Sequence, residues 1–247
     1  MRQRLLRWAG LGALVFIAAT LLPVLLLRFV DPWTSAVMVG DRAKAVWRGD
    51  FAYRNRYDWV PLESISPQLA LAVIAAEDQQ FPFHVGFDFV SIREAVRHNA
   101  RSARKRGAST ITQQVAKNMF LWRGRSWWRK VLEAWFTVLI ELCWTKERIL
   151  EIYLNVAEMG PGTFGAEAAA RRYFKKSAAH LSRDEAALLA AVLPNPHRFS
   201  VESPSRYVRV RRDKILSQMR ALGGAGYLEQ LADDRASPVE RAAPRRR

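Results

Sequence analysis

The sequence predicts a mainly α-helical domain that follows one membrane-spanning helix at the N-terminus. Three observations support this: an uncharged apolar run from Trp8 to Leu27, repeated helix-start signals after residue 62, and little of the two-residue alternation typical of strands. The chain has 247 residues, half of them hydrophobic, with nine Trp and twelve Phe. This composition excludes intrinsic disorder for the body of the chain, which is long enough to bury a core.

The run from Trp8 to Leu27 predicts an uncleaved single-pass anchor. Its 20 residues match a hydrocarbon core of roughly 30 Å at about 1.5 Å per residue. Three arginines precede the run, which predicts a cytoplasmic N-terminus. The alternative is a cleaved signal peptide, but the run is longer than a typical h-region and no clear small-x-small cleavage site follows it. We therefore expect a basic flank and anchor over residues 1–30 and an approach segment over 31–61.

Helix-start signals recur in the remainder of the chain. Ser66 followed by Pro67 predicts an N-cap and a first helical position, which opens a helix that runs to Glu77. Two capping-box patterns predict further helix starts, at Ser91 with Glu94 and at Ser182 with Glu185. We expect one domain over residues 62–226, followed by a polar, basic and frayed tail over 227–247.

The stretch 131–144 is apolar almost all round but too short to span a bilayer, which predicts a buried core helix. Glu133, Thr137 and Glu141 recur on it at four-residue spacing and form one narrow polar stripe, and Lys130 lies one turn earlier on the same side. Charged groups on a buried helix need partners or a cavity, so we expect this stripe to line a cleft.

Charge and cysteine content narrow the function classes only in part. The formal net charge is +16, and so basic a surface attracts nucleic acid, anionic lipid headgroups or phosphorylated substrates. Cys143 is the only cysteine, so no internal disulfide can form, and the four histidines have no metal-ligand spacing. The sequence therefore predicts no metal-binding residues.

Glu77 and Asp78 end the apolar helix run 70–76. Neighbours on a helix point about 100° apart, so these two acids are not expected to share one task. A carboxylate against an apolar wall has a raised pKa, which suits proton transfer near neutral pH. From the residues alone, a helix-end acid that pairs with His84 or an arginine is an equally good interpretation.

Hydroxyl, amide and ammonium groups are concentrated where the next helix is predicted to start, at Ser109, Thr110, Thr112, Gln113, Gln114, Lys117 and Asn118. Such a helix start can hold phosphate oxygens, and an ordinary solvated helix start is the alternative. Arg123, Arg125, Arg129 and Lys130 follow, interleaved with three tryptophans. This pattern suits single-stranded nucleic acid or a membrane interface, and the anchor favours the membrane.

Five ordered segments together resemble the signature motifs of the peptidoglycan glycosyltransferases, family 51 of the glycosyltransferases. They are Glu77-Asp78-x-x-Phe81-x-x-His84-x-Gly86, Gly107-x-Ser109-Thr110-Ile111-Thr112-Gln113-Gln114-x-x-Lys117-Asn118, Arg129-Lys130-x-x-Glu133, Glu151-x-Tyr153-Leu154-Asn155 through Gly160, and Ala168 to Lys175 with Leu181-Ser182 through Pro194-Asn195-Pro196. No penicillin-binding transpeptidase domain fits in the remaining length, so we expect a monofunctional biosynthetic member.

The resemblance implies a lysozyme-like α fold with a second, membrane-touching lobe. It also implies that the sugar 4-hydroxyl of lipid II attacks the anomeric carbon of a growing lipid-linked glycan. Undecaprenyl diphosphate then leaves, and a β-1,4 bond forms with inversion. Glu77 would be the general base, and Glu133 the second catalytic glutamate, which positions cations or helps to hold a divalent ion. The implied substrate-binding residues are Lys117, Arg125 and Lys130 at the diphosphate and Ser109, Thr110, Gln113, Gln114 and Asn118 around the donor.

The same resemblance sets expectations for cofactors, partners and location. No cofactor is required by the sequence, and a divalent cation (Mg or Mn) at the diphosphate is left open. The expected partners are lipid II, the growing lipid-linked glycan, the membrane and other cell-wall synthesis proteins, with no nucleic acid. The catalytic domain is expected on the periplasmic side of a Gram-negative inner membrane.

Two other segments are interpreted as structural. The string Gly160-Pro-Gly162-Thr-Phe-Gly165 follows a helix and not a strand, so we expect a turn and not a dinucleotide-binding loop. The apolar segment 151–155 is expected to be scaffold. Two rival functions stay open: a lytic enzyme on the same scaffold, and a non-catalytic basic protein that binds anionic lipid or nucleic acid.

Overall fold

The computed structural model describes residues 2–102, 107–124 and 126–231, which form a mainly helical fold. The helices are α1 (Arg2–Leu27), α2 (Ala36–Trp47), α3 (Pro67–Glu77), α4 (Phe89–Arg101), α5 (Ile111–Phe120), α6 (Trp127–Cys143), α7 (Lys146–Val156), α8 (Ala166–Phe174), α9 (Arg183–Val192) and α10 (Arg206–Ala221), and the strands are β1 (Arg56–Tyr57), β2 (Glu158–Gly160) and β3 (Thr163–Phe164). The mainly α prediction is confirmed.

Helix α1 contains the one segment of the described residues that is long and apolar enough to cross a membrane, Leu6–Leu27. This fits the predicted single-pass anchor. Its C-terminal half packs against the domain: the Phe16 and Trp135 rings lie 5.8 Å apart, and Trp144 Nε1 donates to the Val24 carbonyl at 2.7 Å. The Arg148 guanidinium donates to the Leu27 carbonyl at 3.0 Å and so caps the end of the helix.

Helices α3, α9 and α10 pack together and form one half of the core, while α5 packs between α6 and α7. The predicted N-cap Ser66 accepts a hydrogen bond from the Gln68 N–H, and the predicted capping box of Ser182 with Glu185 is present. Helix α3 is buried along most of its length, because seven consecutive apolar residues face neighbours all round. Its C-terminal end is thereby fixed in place beneath the site described below.

The predicted start of α4 at Ser91 is wrong by a few residues. Asp88 is the N-cap, and its carboxylate accepts a hydrogen bond from the Ser91 N–H at 2.9 Å. A carboxylate satisfies a free amide of the first turn as well as a hydroxyl does, so Ser91 becomes the third helical residue. Helix α4 buries only Ala95 and leaves Phe89 exposed.

The prediction that α6 is a buried core helix is wrong for one of its faces. Glu133 and Thr137 of the polar stripe are buried, with exposures of 3 % and 0 %. The opposite side is exposed and apolar, with Trp127, Trp128, Val131, Val138 and Leu142. An all-round apolar pattern does not distinguish protein neighbours from another apolar environment, and α6 has protein neighbours, α1 and α5, on one side.

The Gly-rich string forms the predicted turn, although short strands flank it. Strands β2 and β3 pair antiparallel around Gly162, and β1 adds to β3 in parallel. Gly165 has φ +85°, and a Cβ there would lie 2.4 Å from the Asn155 carbonyl oxygen, so a side chain does not fit. Strands of two or three residues are too short to produce an alternating sequence pattern.

The described part of the expected tail packs on the domain and does not fray. A 3₁₀ segment, Gly224–Leu231, buries Tyr227 and Leu231, and the Tyr227 hydroxyl donates to the Gln79 carbonyl at 2.6 Å. This burial raises the pKa of Tyr227 to about 12. The rest of the tail, residues 232–247, lies outside the described residues.

Candidate active site

Glu77 ends α3, and its side chain is 13 % exposed. One carboxylate oxygen, Oε2, accepts a hydrogen bond from Gln114 Nε2 at 3.0 Å, and the other, Oε1, lies 3.2 Å from Arg211 Nη2. Burial raises the pKa of Glu77 above its ordinary value, while Gln114, Arg211 and Lys117 oppose that increase. Glu77 is therefore a largely buried carboxyl that retains access to solvent, as proton transfer requires.

Asp78 has a separate task, as predicted. Its two oxygens lie 2.9 Å from His84 Nε2, and Oδ2 accepts a hydrogen bond from the Ile111 N–H at 3.0 Å. Thr110 Oγ1 also donates to the Gly86 carbonyl at 2.7 Å. These contacts join the first and second motifs, so Asp78 and His84 fix the start of α5 beside Glu77.

A buried ion pair lies beneath this junction. Lys146 Nζ is 2.8 Å from Glu141 Oε1 and donates to the His84 carbonyl at 2.7 Å. Thr112 Oγ1 donates to the same Glu141 oxygen at 2.6 Å, and the Lys146 ammonium lies 4.7 Å from the centre of the Phe81 ring. The lower part of the polar stripe on α6 is thus structural and supports the loop that follows α3.

The upper part of the stripe forms a cluster of cations around one buried carboxylate. Glu133 Oε2 lies 2.7 Å from Arg129 Nη1, and Glu133 Oε1 pairs with Lys130 Nζ. Lys117, on α5, interacts electrostatically with both Glu133 and Glu77. Burial lowers the pKa of Lys117, and the nearby Glu133 opposes the change. Arg129, Lys130 and Lys117 carry three positive charges, and Glu133 neutralises only one of them. The region close to Glu77 is therefore positively charged.

The other predicted site residues have mixed surroundings. Thr110 and Gln113 satisfy each other in a capping box at the start of α5, which occupies the groups expected to touch a donor. Ser109 is exposed, and Asn118 is half-buried one residue after Lys117. Arg125 lies outside the described residues. The donor-binding roles of these side chains remain predictions.

Two residues at Glu77 were not identified as site residues from the sequence. Arg211 lies on α10, in a basic segment that gives no sign of which arginine turns inward. Tyr153 was interpreted as scaffold, and it is indeed buried, but its hydroxyl donates to Gln114 Oε1 at 3.2 Å. This contact directs the Gln114 amide nitrogen towards Glu77, so the fourth motif contributes to the site.

Among the described residues, no group of three or more His, Cys, Asp or Glu side chains is arranged to hold a metal ion. Glu133 was the acid expected to help with a divalent ion. Its two oxygens are engaged by Arg129 and Lys130, so this carboxylate does not fit the role of a metal ligand. A divalent cation (Mg or Mn) at the diphosphate stays an untested expectation.

Comparison with known proteins gives a consistent result. Residues 45–220 match the family model described as Transglycosylase. The chain is 53 % identical over 227 residues to a biosynthetic peptidoglycan transglycosylase of Xanthomonas campestris pv. campestris (strain B100), with 92 % of each chain covered. It is 56 % identical over 218 residues to a protein of the same name from Pectobacterium carotovorum subsp. carotovorum (strain PC1), with 88 % of this chain and 89 % of that one covered.

Proposed function

The chain belongs to the transglycosylase family as a peptidoglycan glycosyltransferase, and we propose that it polymerises glycan from lipid II. In this proposal each cycle forms one β-1,4 bond with inversion and releases undecaprenyl diphosphate. The observation that supports it best is the placement of Glu77, a largely buried carboxyl with a raised pKa, beside a cluster of cations.

Glu77 accepts the proton of the acceptor's 4-hydroxyl. The oxygen of that hydroxyl forms a bond to the anomeric carbon of the donor, while the bond from that carbon to the diphosphate oxygen breaks. The electron pair of the broken bond leaves with the diphosphate. General base catalysis of this kind typically contributes about 10²–10⁴-fold to a rate. The raised pKa of Glu77 brings its basicity closer to what neutral pH requires.

Lys117, Arg129 and Lys130 stabilise the negative charge that develops on the departing diphosphate. Arg129 and Lys130 are already oriented by Glu133, so they need little rearrangement when the charge appears. Glu133 therefore acts through the cations that it positions. Arg125 is proposed for the same task from the sequence resemblance alone.

The membrane location of the site is supported by how α1 joins the domain. Helix α6 and the residue after it contact α1 between Phe16 and Val24. Arg148 caps the C-terminal end of α1 at Leu27. The stretch from Phe16 to Leu27 rises about 16 Å at 1.5 Å per residue. With the N-terminus in the cytoplasm, this spacing supports a position in the outer leaflet for the exposed apolar face of α6.

We propose accordingly a periplasmic catalytic domain on an inner-membrane anchor. The exposed apolar side chains of α4, Phe89, Val90 and Val96, support a second membrane-contacting surface. Trp127 and Trp128 at the start of α6 are of the type enriched at membrane interfaces. A site at this depth can receive a lipid-linked donor without extracting the lipid from the bilayer.

The function is tested with the full chain in detergent and labelled lipid II. Growth of glycan is followed on a gel, and release of the lipid diphosphate is measured in the same reaction. Glu77→Gln is expected to abolish both, while Glu63→Gln, at an exposed carboxylate before α3, retains both. Digestion of the polymer by a muramidase specific for β-1,4 bonds checks the linkage.

The two rival functions predict different results in the same assay. A lytic enzyme shortens preformed glycan and does not elongate lipid II. A non-catalytic basic protein binds lipid II, makes no polymer, and binds equally well as Glu77→Gln. The cations beside Glu77 favour a diphosphate donor, which a hydrolase of glycan does not need.

A further inference from the structure

Arg211 is the charged side chain of α10 that contacts Glu77. It lies beyond the five motifs, in a helix segment with four arginines between residues 206 and 212. Its Nη2 is 3.2 Å from Glu77 Oε1, and its side chain is 25 % exposed. The adjacent Arg212 pairs instead with Asp213, at 2.7 Å. Arg211 therefore contacts the candidate base, whereas Arg212 does not.

The two oxygens of Glu77 are held from different helices. Oε1 faces Arg211 on α10, and Oε2 accepts from Gln114 on α5 at 3.0 Å. Gln114 cannot turn freely, because its Oε1 accepts a hydrogen bond from the buried Tyr153 hydroxyl at 3.2 Å. Each Glu77 oxygen keeps a second lone pair, so the carboxylate can be oriented by these donors and still accept a proton.

From these contacts we propose that Arg211 is a positioning residue for the glycan-forming reaction: it fixes the orientation of Glu77 and keeps it in the ionised, proton-accepting form. The inference rests on the proposed function, in which Glu77 is the general base. It adds a residue outside the motifs that identify the family from the sequence.

The charges around Glu77 indicate why such a residue is needed. Burial favours the neutral acid, and so does the nearby Asp78, while Lys117 and Arg211 favour the carboxylate. Lys117 is half-buried, and its ammonium also interacts electrostatically with Glu133. A guanidinium does not lose its proton in the range of an enzyme assay, so Arg211 supplies a constant positive charge.

Arg183 on α9 and Tyr227 on the C-terminal 3₁₀ segment both contact residues other than Glu77. On α9, Arg183 reaches Gln68 at the opposite end of α3, with Nε 3.4 Å from the amide oxygen. From the C-terminal 3₁₀ segment, Tyr227 contacts the Gln79 carbonyl. The buried Tyr153 hydroxyl lies close enough for Glu77 to raise the pKa of this tyrosine further, after burial itself.

The test is the pH profile of kcat/KM for lipid II polymerisation by wild type, Arg211→Gln and Arg211→Lys, between about pH 5 and pH 9. The acidic limb of this profile reports the pKa of the general base in the free enzyme. We expect Arg211→Gln to shift the acidic limb to higher pH by about one unit. At a fixed pH on that limb, kcat/KM then falls about tenfold. Arg211→Lys keeps the charge and should keep the limb near its wild-type position.

Arg212→Gln is the matched control, because it removes one positive charge from the same helix next to the same position. Its limb should coincide with that of wild type. Thermal melting checks that each variant is folded, and Arg211→Met replaces Arg211→Gln if the latter does not fold. A uniform loss of kcat/KM at every pH in the neutral variants, with no movement of the limb, would overturn the inference and leave the proposed function intact. A wild type that makes no polymer would overturn the proposed function and this inference with it.

Discussion

The buried ion pair of Lys146 and Glu141 offers a sharp test of how the site is supported. Lys146→Met removes the ammonium but keeps most of the apolar stem. Both partners are almost completely buried, with side-chain exposures of 3 % and 4 %. The variant leaves Glu141 as a buried anion that accepts a hydrogen bond from Thr112, and it deprives the His84 carbonyl of the ammonium at 2.7 Å.

Removal of one partner from a buried ion pair typically costs about 3–5 kcal/mol. For a domain of this size, each kcal/mol lowers Tm by about 2–4 °C. We therefore expect Lys146→Met to lower the Tm of the detergent-solubilised protein by roughly 6–20 °C. The double variant Lys146→Met/Glu141→Gln, which removes both charges, should recover much of this loss.

The assay is thermal unfolding followed by tryptophan fluorescence, with Lys214→Met on the exposed side of α10 as the control for loss of a lysine. The control should melt within about 1 °C of wild type, as exposed substitutions usually do. The reasoning is refuted if Lys146→Met melts with the control, or if the double variant is less stable than Lys146→Met alone.

Three further predictions follow from Glu77 and Gly165. Because burial raises the pKa of Glu77, the acidic limb of kcat/KM for wild type should lie above the ordinary glutamate value of about 4.3, and a limb at or below it would contradict this. The raised pKa means that the folded state binds the proton more tightly, so the stability contributed by Glu77 is present at low pH and lost as pH rises through the raised value. Glu77→Gln should therefore melt at or above the wild-type Tm at neutral pH, and a lower Tm would count against the buried carboxylate. Gly165→Ala should melt well below Gly226→Ala, because its Cβ would meet the Asn155 carbonyl at 2.4 Å while Gly226 has open space, and equal Tm values would contradict this.

Much of the fold was predictable because local chemistry determines it. The anchor follows from one long uncharged run, and the starts of α3 and α9 follow from Ser66 and Ser182, whose side chains cap the next turn. The stripe on α6 was also predictable, since buried charges at helical spacing must face partners. These features depend on residues close together in the chain.

Features that depend on distant parts of the chain were missed or misinterpreted. Arg211 contacts Glu77 across 134 positions, and a basic helix gives no local sign of which arginine turns inward. The exposed apolar face of α6 departs from the predicted core helix, because an apolar sequence pattern does not distinguish a buried face from an exposed one. The start of α4 was misplaced because Asp88 and Ser91 are both good capping residues.

The two acids of the first motif have different partners in the structure. The sequence left open whether its acids serve in catalysis or pair with His84 or an arginine. In the structure both kinds of contact occur, since Asp78 pairs with His84 and Glu77 pairs with Arg211. An ion pair at Glu77 does not exclude a catalytic role, because the same arginine keeps the carboxylate ionised.

The central claim, that Glu77 is the base for glycan polymerisation, is tested most directly by comparing wild type with Glu77→Gln on labelled lipid II. Binding of lipid II is measured in parallel, and both proteins are checked for folding. We expect a ladder of glycan chains from wild type, no polymer from Glu77→Gln, and similar binding by the two. Polymer from a folded Glu77→Gln at a rate close to that of wild type would contradict the claim.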